Sequence, residues 1–125
     1  MKTKAAGELE MNVMNIVWEK GDCSVNTILE NIGQDKKLAY TTVATILQRL
    51  YDKGIVNRKQ NNGHYLYFAN VTKFDYSKKL ITNFFNHITS TFGDIAISSF
   101  AESIDHLPKN KRKELLGLLE EYENK

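Results

Sequence analysis

The sequence predicts a mainly α fold in which three helices, a two-stranded hairpin and three further helices follow one another. Apolar residues recur at helical spacing in six segments, and an Asn-Gly pair separates two runs rich in β-branched and aromatic residues. The single proline favours helices over long loops. A chain of 125 residues has room for one small domain and an appended oligomerisation element, but not for a separate enzyme domain.

The first three helices are defined by apolar stripes and by the residues that end them. Residues 8–20 form the first, Ser24 caps a short second helix that ends at Gly33, and a polar connector at residues 34–37 leads to the third helix, residues 39–54. The third helix has an apolar stripe backed by a small polar face, as expected of a helix docked on a core. The stripe consists of Ala39, Val43, Ile46, Leu47 and Leu50.

Two short strands are predicted at residues 55–60 and 64–69, on either side of an Asn-Asn-Gly turn. Three helices followed by such a hairpin make a winged helix-turn-helix, an α+β module. Because a two-stranded ribbon is marginally stable alone, its apolar face should pack on the helices. We expect Val56, Leu66 and Phe68 on that face.

Three amphipathic helices follow the hairpin. Thr72 is expected to cap a long helix that ends near Phe92, Asp94 to cap a shorter one, and Pro108 to begin the last. We interpret residues 1–71 as a winged helix-turn-helix DNA-binding domain and residues 72–125 as a helical dimerisation domain, the alternative being helices that fold back on one monomer. The expected dimerisation residues are Leu80, Ile81, Phe84, Phe85, Ile88, Phe92, Leu115 and Leu119.

Basic residues are concentrated around the third helix. Residues 36–79 hold nine Lys or Arg against two acidic residues, a net charge of +7, whereas the whole chain carries +2. Such a block is common on solvated surfaces, but here it coincides with a helix of the size that enters a DNA major groove. We therefore expect a phosphate-binding surface.

The face of the third helix opposite the core stripe is predicted to meet base edges, because Thr and Gln can hydrogen-bond to them. The flanks of the helix are expected to contact phosphates, the alternative for Tyr40 being to pack on the first turn of the helix. The wing is expected to contact phosphates or the minor groove. The alternatives are a solvated helix face and, for Arg49, an ion pair with Asp52. The predicted DNA-binding residues are Tyr40, Thr41, Thr42, Ala44, Thr45, Gln48, Arg49, Arg58, Lys59 and His64.

Other classes of function lack their residue patterns. Cys23 is the only cysteine, the three histidines show no metal-ligand spacing, and the sequence has no nucleophile with a base, glycine-rich phosphate loop or paired carboxylate site. We expect no enzyme activity, no cofactor and no bound metal. With no secretory signal and no long apolar run, we expect a cytoplasmic protein without membrane insertion.

Taken together, these motifs resemble those of the penicillinase repressor (BlaI/MecI/CopY) family of bacterial transcription repressors. The resemblance rests on residues 8–18 of the first helix, residues 39–50 of the third helix, and residues 51–56 and 64–68 around the hairpin. It covers nearly the whole chain.

The resemblance implies a homodimer that binds a palindromic double-stranded DNA operator through two winged helices and represses downstream genes, with β-lactam resistance genes as candidates. Family members that respond to β-lactams are inactivated when a membrane sensor-protease system leads to cleavage in the dimerisation region, commonly between Asn and Phe. The matching residues here are Ser99 and Phe100, with serine in place of asparagine. The cysteine pair near the C-terminus of the copper-responsive branch is absent.

Two other functions fit the same residues. A winged module can contact a protein instead of DNA, because fold does not fix function. The phenylalanines of the C-terminal helices could also enclose a small-molecule effector. The basic block favours DNA over a protein partner, and the helical spacing of the phenylalanines favours a packed core over a ligand pocket.

Overall fold

The computed structural model describes residues 6–33 and 38–125, so the predicted connector at residues 34–37 lies outside the described residues. The elements are α1 (Ala6–Lys20), α2 (Val25–Asn31), α3 (Tyr40–Asp52), β1 (Val56–Asn61), β2 (His64–Ala69), α4 (Lys73–Phe92), α5 (Asp94–Ser103), a 3₁₀ turn (Ile104–His106) and α6 (Lys109–Glu123). This order, with its antiparallel hairpin, confirms the predicted mainly α winged helix-turn-helix fold. Within the described residues, no helix combines the length and the apolar character needed to cross a lipid bilayer.

The chain divides into two compact units, Met1–Lys78 and Lys79–Lys125. In the first unit, α1, α2 and α3 share one core with the hairpin. The predicted cap Ser24 begins α2, because its hydroxyl accepts a hydrogen bond from the Thr27 backbone N–H at 3.1 Å. Among its described residues, the fully buried side chains are Met14, Ile28, Leu47, Leu50, Val13, Val17, Val43, Val56 and Cys23.

The hairpin turns at Asn62 and Gly63, which both have positive φ (53° and 82°), as a type I′ turn requires. This turn sets the register in which Arg58 lies opposite Tyr67. Cross-strand neighbours share a face of the sheet. The face turned toward the helices therefore carries Val56 and Tyr67, which are both buried, together with Arg58.

The expectation that Leu66 and Phe68 join Val56 on the packed face is wrong. Successive residues of a strand point to opposite faces, and Leu66 and Phe68, on either side of Tyr67, are only half-buried. Since β2 has aromatic residues on both faces, alternation in the sequence could not select the packed one. Two backbone hydrogen bonds, of 2.8 and 2.7 Å, join Tyr67 to Cys23 and help to fix that choice.

The first turn of α4 belongs to the first unit. The ring of Tyr76 packs edge-on against Trp18 with 5.5 Å between centroids. The Trp18 indole N–H donates to the Val71 carbonyl at 3.0 Å. These contacts explain why the unit extends to Lys78, past the predicted boundary at residue 71.

The second unit, which is described in full, has almost no core of its own, and Ala96 is its single buried residue. The ring of Phe85 packs edge-on against Phe100 at 5.0 Å. The expectation that Asp94 caps α5 is wrong, because the N-cap is Gly93 at φ 65° and Asp94 is the first helical residue. Glycine adopts this left-handed conformation without the steric cost that a Cβ imposes.

Candidate nucleic-acid interface

The outward face of α3 is polar and accessible. Thr41, Thr45 and Gln48 are exposed, and Ala44 is half-buried. These four residues follow the i, i+3, i+4, i+7 spacing of one helix face. The opposite face is buried in the core of the first unit, which holds the polar face outward. The structure thus brings the four predicted base-reading residues together.

A shallow groove of about 280 Å³ follows one flank of this face. The Thr45 hydroxyl donates to the Thr41 carbonyl at 2.8 Å, so its proton is engaged while its lone pairs and methyl group stay free. Arg49 is exposed and has no ion-pair partner in the part of the chain that the structure describes. Its charge is therefore available to an anion. The groove is lined by Leu9, Thr41, Thr42, Thr45, Ile46 and Arg49.

A larger cavity of about 490 Å³ lies between the start of α3, the start of α2 and the wing. Tyr40, Ala44 and His64 line it. Tyr40 is 51% exposed, and His64 is exposed as well. Two further predicted residues, Tyr40 and His64, thus join Ala44 on the side of α3 that faces the wing.

Gln48 is held by one hydrogen bond on each of its polar atoms. Its Nε2 donates to Asp52 Oδ1 at 3.0 Å. Its Oε1 accepts a hydrogen bond from Arg58 Nη1, also at 3.0 Å. Asp52 is thus the partner of Gln48, whereas the ion-pair alternative assigned it to Arg49.

Arg58 is half-buried and stacked between two aromatic rings. Its guanidinium carbon lies 3.9 Å from the ring centroid of Tyr51 and 4.1 Å from that of Tyr65. Partial desolvation acts to lower the pKa of Arg58, but its hydrogen bond to the Tyr67 hydroxyl and the electrostatic effect of the three tyrosines raise this pKa above its ordinary value. Arg58 is therefore a permanent cation fixed by cation–π contacts.

Two lysines of the basic block are paired within the protein. Lys59 Nζ lies 2.8 Å from Asp22, and Lys53 Nζ lies 3.3 Å from the buried carboxylate of Glu10. Both acidic residues come from the chain before residue 36, so the positive charge of the block is partly offset in the fold. An exposed ion pair such as Lys59–Asp22 is worth about 0–1 kcal/mol, so a phosphate can replace the carboxylate. Lys36 and Lys37 lie outside the described residues.

The sequence interpretation missed the residues that surround Arg58. The i, i+4 spacing of Gln48 and Asp52 on one helix is a signal that could have paired them. The approach of Tyr51 and Tyr65 to Arg58 has no such local signal, because it depends on the register of the hairpin and on how the hairpin packs on α3.

The first unit is a winged helix-turn-helix module whose third helix presents an exposed polar face, the arrangement that places a helix in a DNA major groove. The sequence model of the penicillinase repressor family matches residues 6–121. The chain belongs to this family, which confirms the resemblance in the sequence.

Two curated relatives match almost end to end. The methicillin resistance regulatory protein MecI of Staphylococcus aureus (strain N315) is 33% identical over 94% of this chain and 95% of its own length. A penicillinase repressor of Staphylococcus aureus is 29% identical over 93% and 91%, respectively. Among solved structures, the DNA-binding domain of the repressor BlaI aligns with a TM-score of 0.49 and 25% identity, over 55% of this chain and 84% of that one.

Proposed function

We propose that this protein is a DNA-binding transcriptional repressor that holds a palindromic operator with two copies of its winged unit. The observation that carries the proposal is the outward face of α3. There Thr41, Thr45 and Gln48 are accessible beside Arg49, which has no ion-pair partner among the described residues. One helix can thus reach both bases and phosphates. The relatives' names, a methicillin resistance regulatory protein and a penicillinase repressor, support β-lactam resistance genes as the targets. The protein acts in the cytoplasm as a regulator rather than an enzyme.

The second unit supports assembly as a homodimer. Its apolar side chains line an open groove of about 810 Å³. Ile81, Phe84 and Phe92 are 56%, 61% and 61% exposed, and apolar patches of this kind mark interaction surfaces. The predicted dimerisation residues in the groove are Ile81, Phe84, Phe85, Ile88, Phe92 and Leu115. Leu80 and Leu119 are not among its lining residues but are also exposed, by 38% and 47%.

Release from DNA is proposed to follow cleavage of the bond between Ser99 and Phe100 through a membrane sensor-protease system. Both residues lie in α5, and both line the apolar groove. A cut there removes part of the dimer interface, so that the two winged units no longer bind one operator together. Because the bond lies within a helix, α5 must open locally before a protease can act on it.

The test is binding of the full chain to a palindromic duplex, selected from a random pool with the same protein, over a series of salt concentrations. Log K is expected to fall linearly with log salt, with a slope of about −0.9 for each phosphate contact. A salt-independent affinity would favour a winged module that binds a protein and would overturn the proposal.

A substitution on the outward face of α3 tests the same proposal from the protein side. Thr45→Glu places a carboxylate where the bases and phosphates would lie, so we expect operator binding to be abolished while helical content and dimer mass stay unchanged. The matched control is Asn15→Glu, which adds the same charge to an exposed position of α1. If Asn15→Glu loses operator binding equally, the effect comes from net charge and not from the position of Thr45. Lost helical content in Thr45→Glu would instead make Thr45 structural.

A further inference from the structure

We propose that Gln48 reads an adenine in the operator and that Arg58 is a positioning residue, which fixes the orientation of Gln48 instead of contacting a phosphate. This inference rests on the proposed function of the same surface. It adds the base that is read and the residue that controls the reading.

The neighbours of Gln48 allow only one orientation of its side-chain amide. A guanidinium can only donate hydrogen bonds, and an ionised carboxylate can only accept them. A flipped amide would place Nε2 against Arg58 and Oε1 against Asp52, and both 3.0 Å hydrogen bonds would be lost. The positions of the amide oxygen and nitrogen are therefore set by chemistry, although the two atoms have nearly the same shape.

Within the described part of the chain, the amide retains one free position on each polar atom. Oε1 accepts one hydrogen bond and has a second lone pair, and Nε2 donates one and has a second hydrogen. An acceptor beside a donor matches the major-groove edge of adenine, which offers the N6 donor and the N7 acceptor. Guanine offers two acceptors there, so one of its two contacts with the fixed amide is repulsive.

Arg58 is fixed as firmly as the amide that it orients. It lies on the inward face of β1, opposite the buried Tyr67, with its guanidinium between the rings of Tyr51 and Tyr65. Contact with a phosphate would require it to leave both rings and the Gln48 oxygen. Arg49, by contrast, is exposed and lacks an ion-pair partner among the described residues. We assign the phosphate contact to Arg49 and the positioning role to Arg58.

The experiment measures base discrimination by the full chain on the selected operator. In each duplex, one A·T pair of each half-site is replaced by G·C. The wild type should bind one of these duplexes about five- to 100-fold more weakly per half-site. Gln48→Ala and Arg58→Met should lose most of this discrimination at that same position. The control Lys59→Met removes the neighbouring cation on the other face of β1. Loss of this predicted phosphate contact should weaken binding to the original and the substituted duplexes by the same factor and so keep the discrimination.

The salt dependence separates positioning from phosphate binding. The slope of log K against log salt should be unchanged in Arg58→Met, because no phosphate contact is lost. If Arg58→Met instead weakens every duplex equally and reduces the slope by about 0.9 per subunit, Arg58 contacts a phosphate and the inference is wrong. Full discrimination retained by Gln48→Ala would overturn the adenine assignment.

A second variant keeps the inference testable if Arg58→Met does not fold. Asp52→Ala removes the carboxylate that accepts from Nε2. Overall affinity for DNA should rise because a negative charge is lost, while discrimination between A·T and G·C should fall because the amide is less firmly oriented. Unchanged discrimination would overturn the fixed orientation. A wild type that binds no duplex in a salt-dependent way would overturn the proposed function itself. If the wild type binds and the variants discriminate between A·T and G·C as well as it does, only the roles of Gln48 and Arg58 are overturned.

Discussion

The two units of the chain bury their apolar side chains to very different degrees. Among the described residues of the first unit, nine side chains are fully buried, whereas Ala96 is the single buried residue of the second unit. Both units are built from amphipathic helices, which gain most of their stability from the surface they pack against. The first unit contains that surface within one chain. The second leaves its apolar stripe exposed, and the proposed homodimer makes its stability dependent on assembly.

The largest expected effect comes from a substitution that creates a cavity in the core of the first unit. Leu47 is fully buried, and Leu47→Ala should lower the free energy of unfolding by about 2–5 kcal/mol. Trp18, the only tryptophan, lies in this unit and reports its unfolding by fluorescence. The control Leu119→Ala deletes the same atoms at a position 47% exposed and should leave the Trp18 transition in place. If both substitutions shift the Trp18 unfolding transition equally, the two units do not unfold independently.

The next effect concerns assembly. Phe84→Asp places a charge in the apolar groove of the second unit and should weaken the dimer at least about tenfold, because a desolvated carboxylate is costly in an interface. Sedimentation at several protein concentrations measures this change, with the Trp18 fluorescence expected to stay native. Asn83→Asp adds the same charge at the neighbouring exposed position outside the groove and should preserve the dimer mass. If Phe84→Asp and Asn83→Asp sediment with the same mass, the dimer interface lies outside this groove.

A smaller effect is expected at a helix start. The Ser24 hydroxyl caps α2, whereas α5 begins at Gly93 without a side-chain cap. Ser24→Ala should therefore destabilise the first unit by about 1 kcal/mol, measured by denaturation followed at Trp18. Ser77→Ala, which removes an exposed hydroxyl that donates to a carbonyl within α4, should change stability by only a few tenths of a kcal/mol. If Ser77→Ala lowers the free energy of unfolding as much as Ser24→Ala does, the destabilisation of Ser24→Ala does not come from the lost cap.

The smallest effect is expected from the buried thiol. Burial raises the pKa of Cys23 above its ordinary value of 9.0, and the charge of Asp22 adds to this, while Lys20 acts to lower it. The stability contributed by the neutral thiol is therefore fully present below about pH 9 and is lost as the pH rises through the folded-state pKa. At pH 8 we expect iodoacetamide to alkylate the folded protein far more slowly than the denatured chain. Equal rates would mean that the core around Cys23 opens freely.

The sequence predicted the elements of this fold well because their signals are local. The cap Ser24, the type I′ turn at Asn62 and Gly63, and the apolar stripe of α3 each depend on neighbouring residues. The packed face of β2 could not be predicted, because aromatic residues occur on both of its faces.

In the candidate interface too, some residue positions follow from local sequence patterns and others depend on tertiary packing. Helical spacing alone gathers Thr41, Thr45 and Gln48 on one exposed face. The position of Arg58 depends on contacts between the wing and α3, which lie ten residues apart along the chain at Gln48 and Arg58. A count of charges treats such an arginine as a free cation. The fold makes it part of a hydrogen-bonded network.

The backbone bridge between Cys23 and Tyr67 also affects how the wing behaves toward other molecules. A two-stranded ribbon has two open edges, each a template for a strand from a neighbouring chain. On the outer edge of β2, the N–H and C=O groups of Tyr67 are occupied by Cys23. The β1 strand carries the charges of Arg58 and Lys59, which disfavour edge-to-edge pairing. The wing can thus remain a narrow ribbon at high protein concentration without starting a larger sheet or an aggregate.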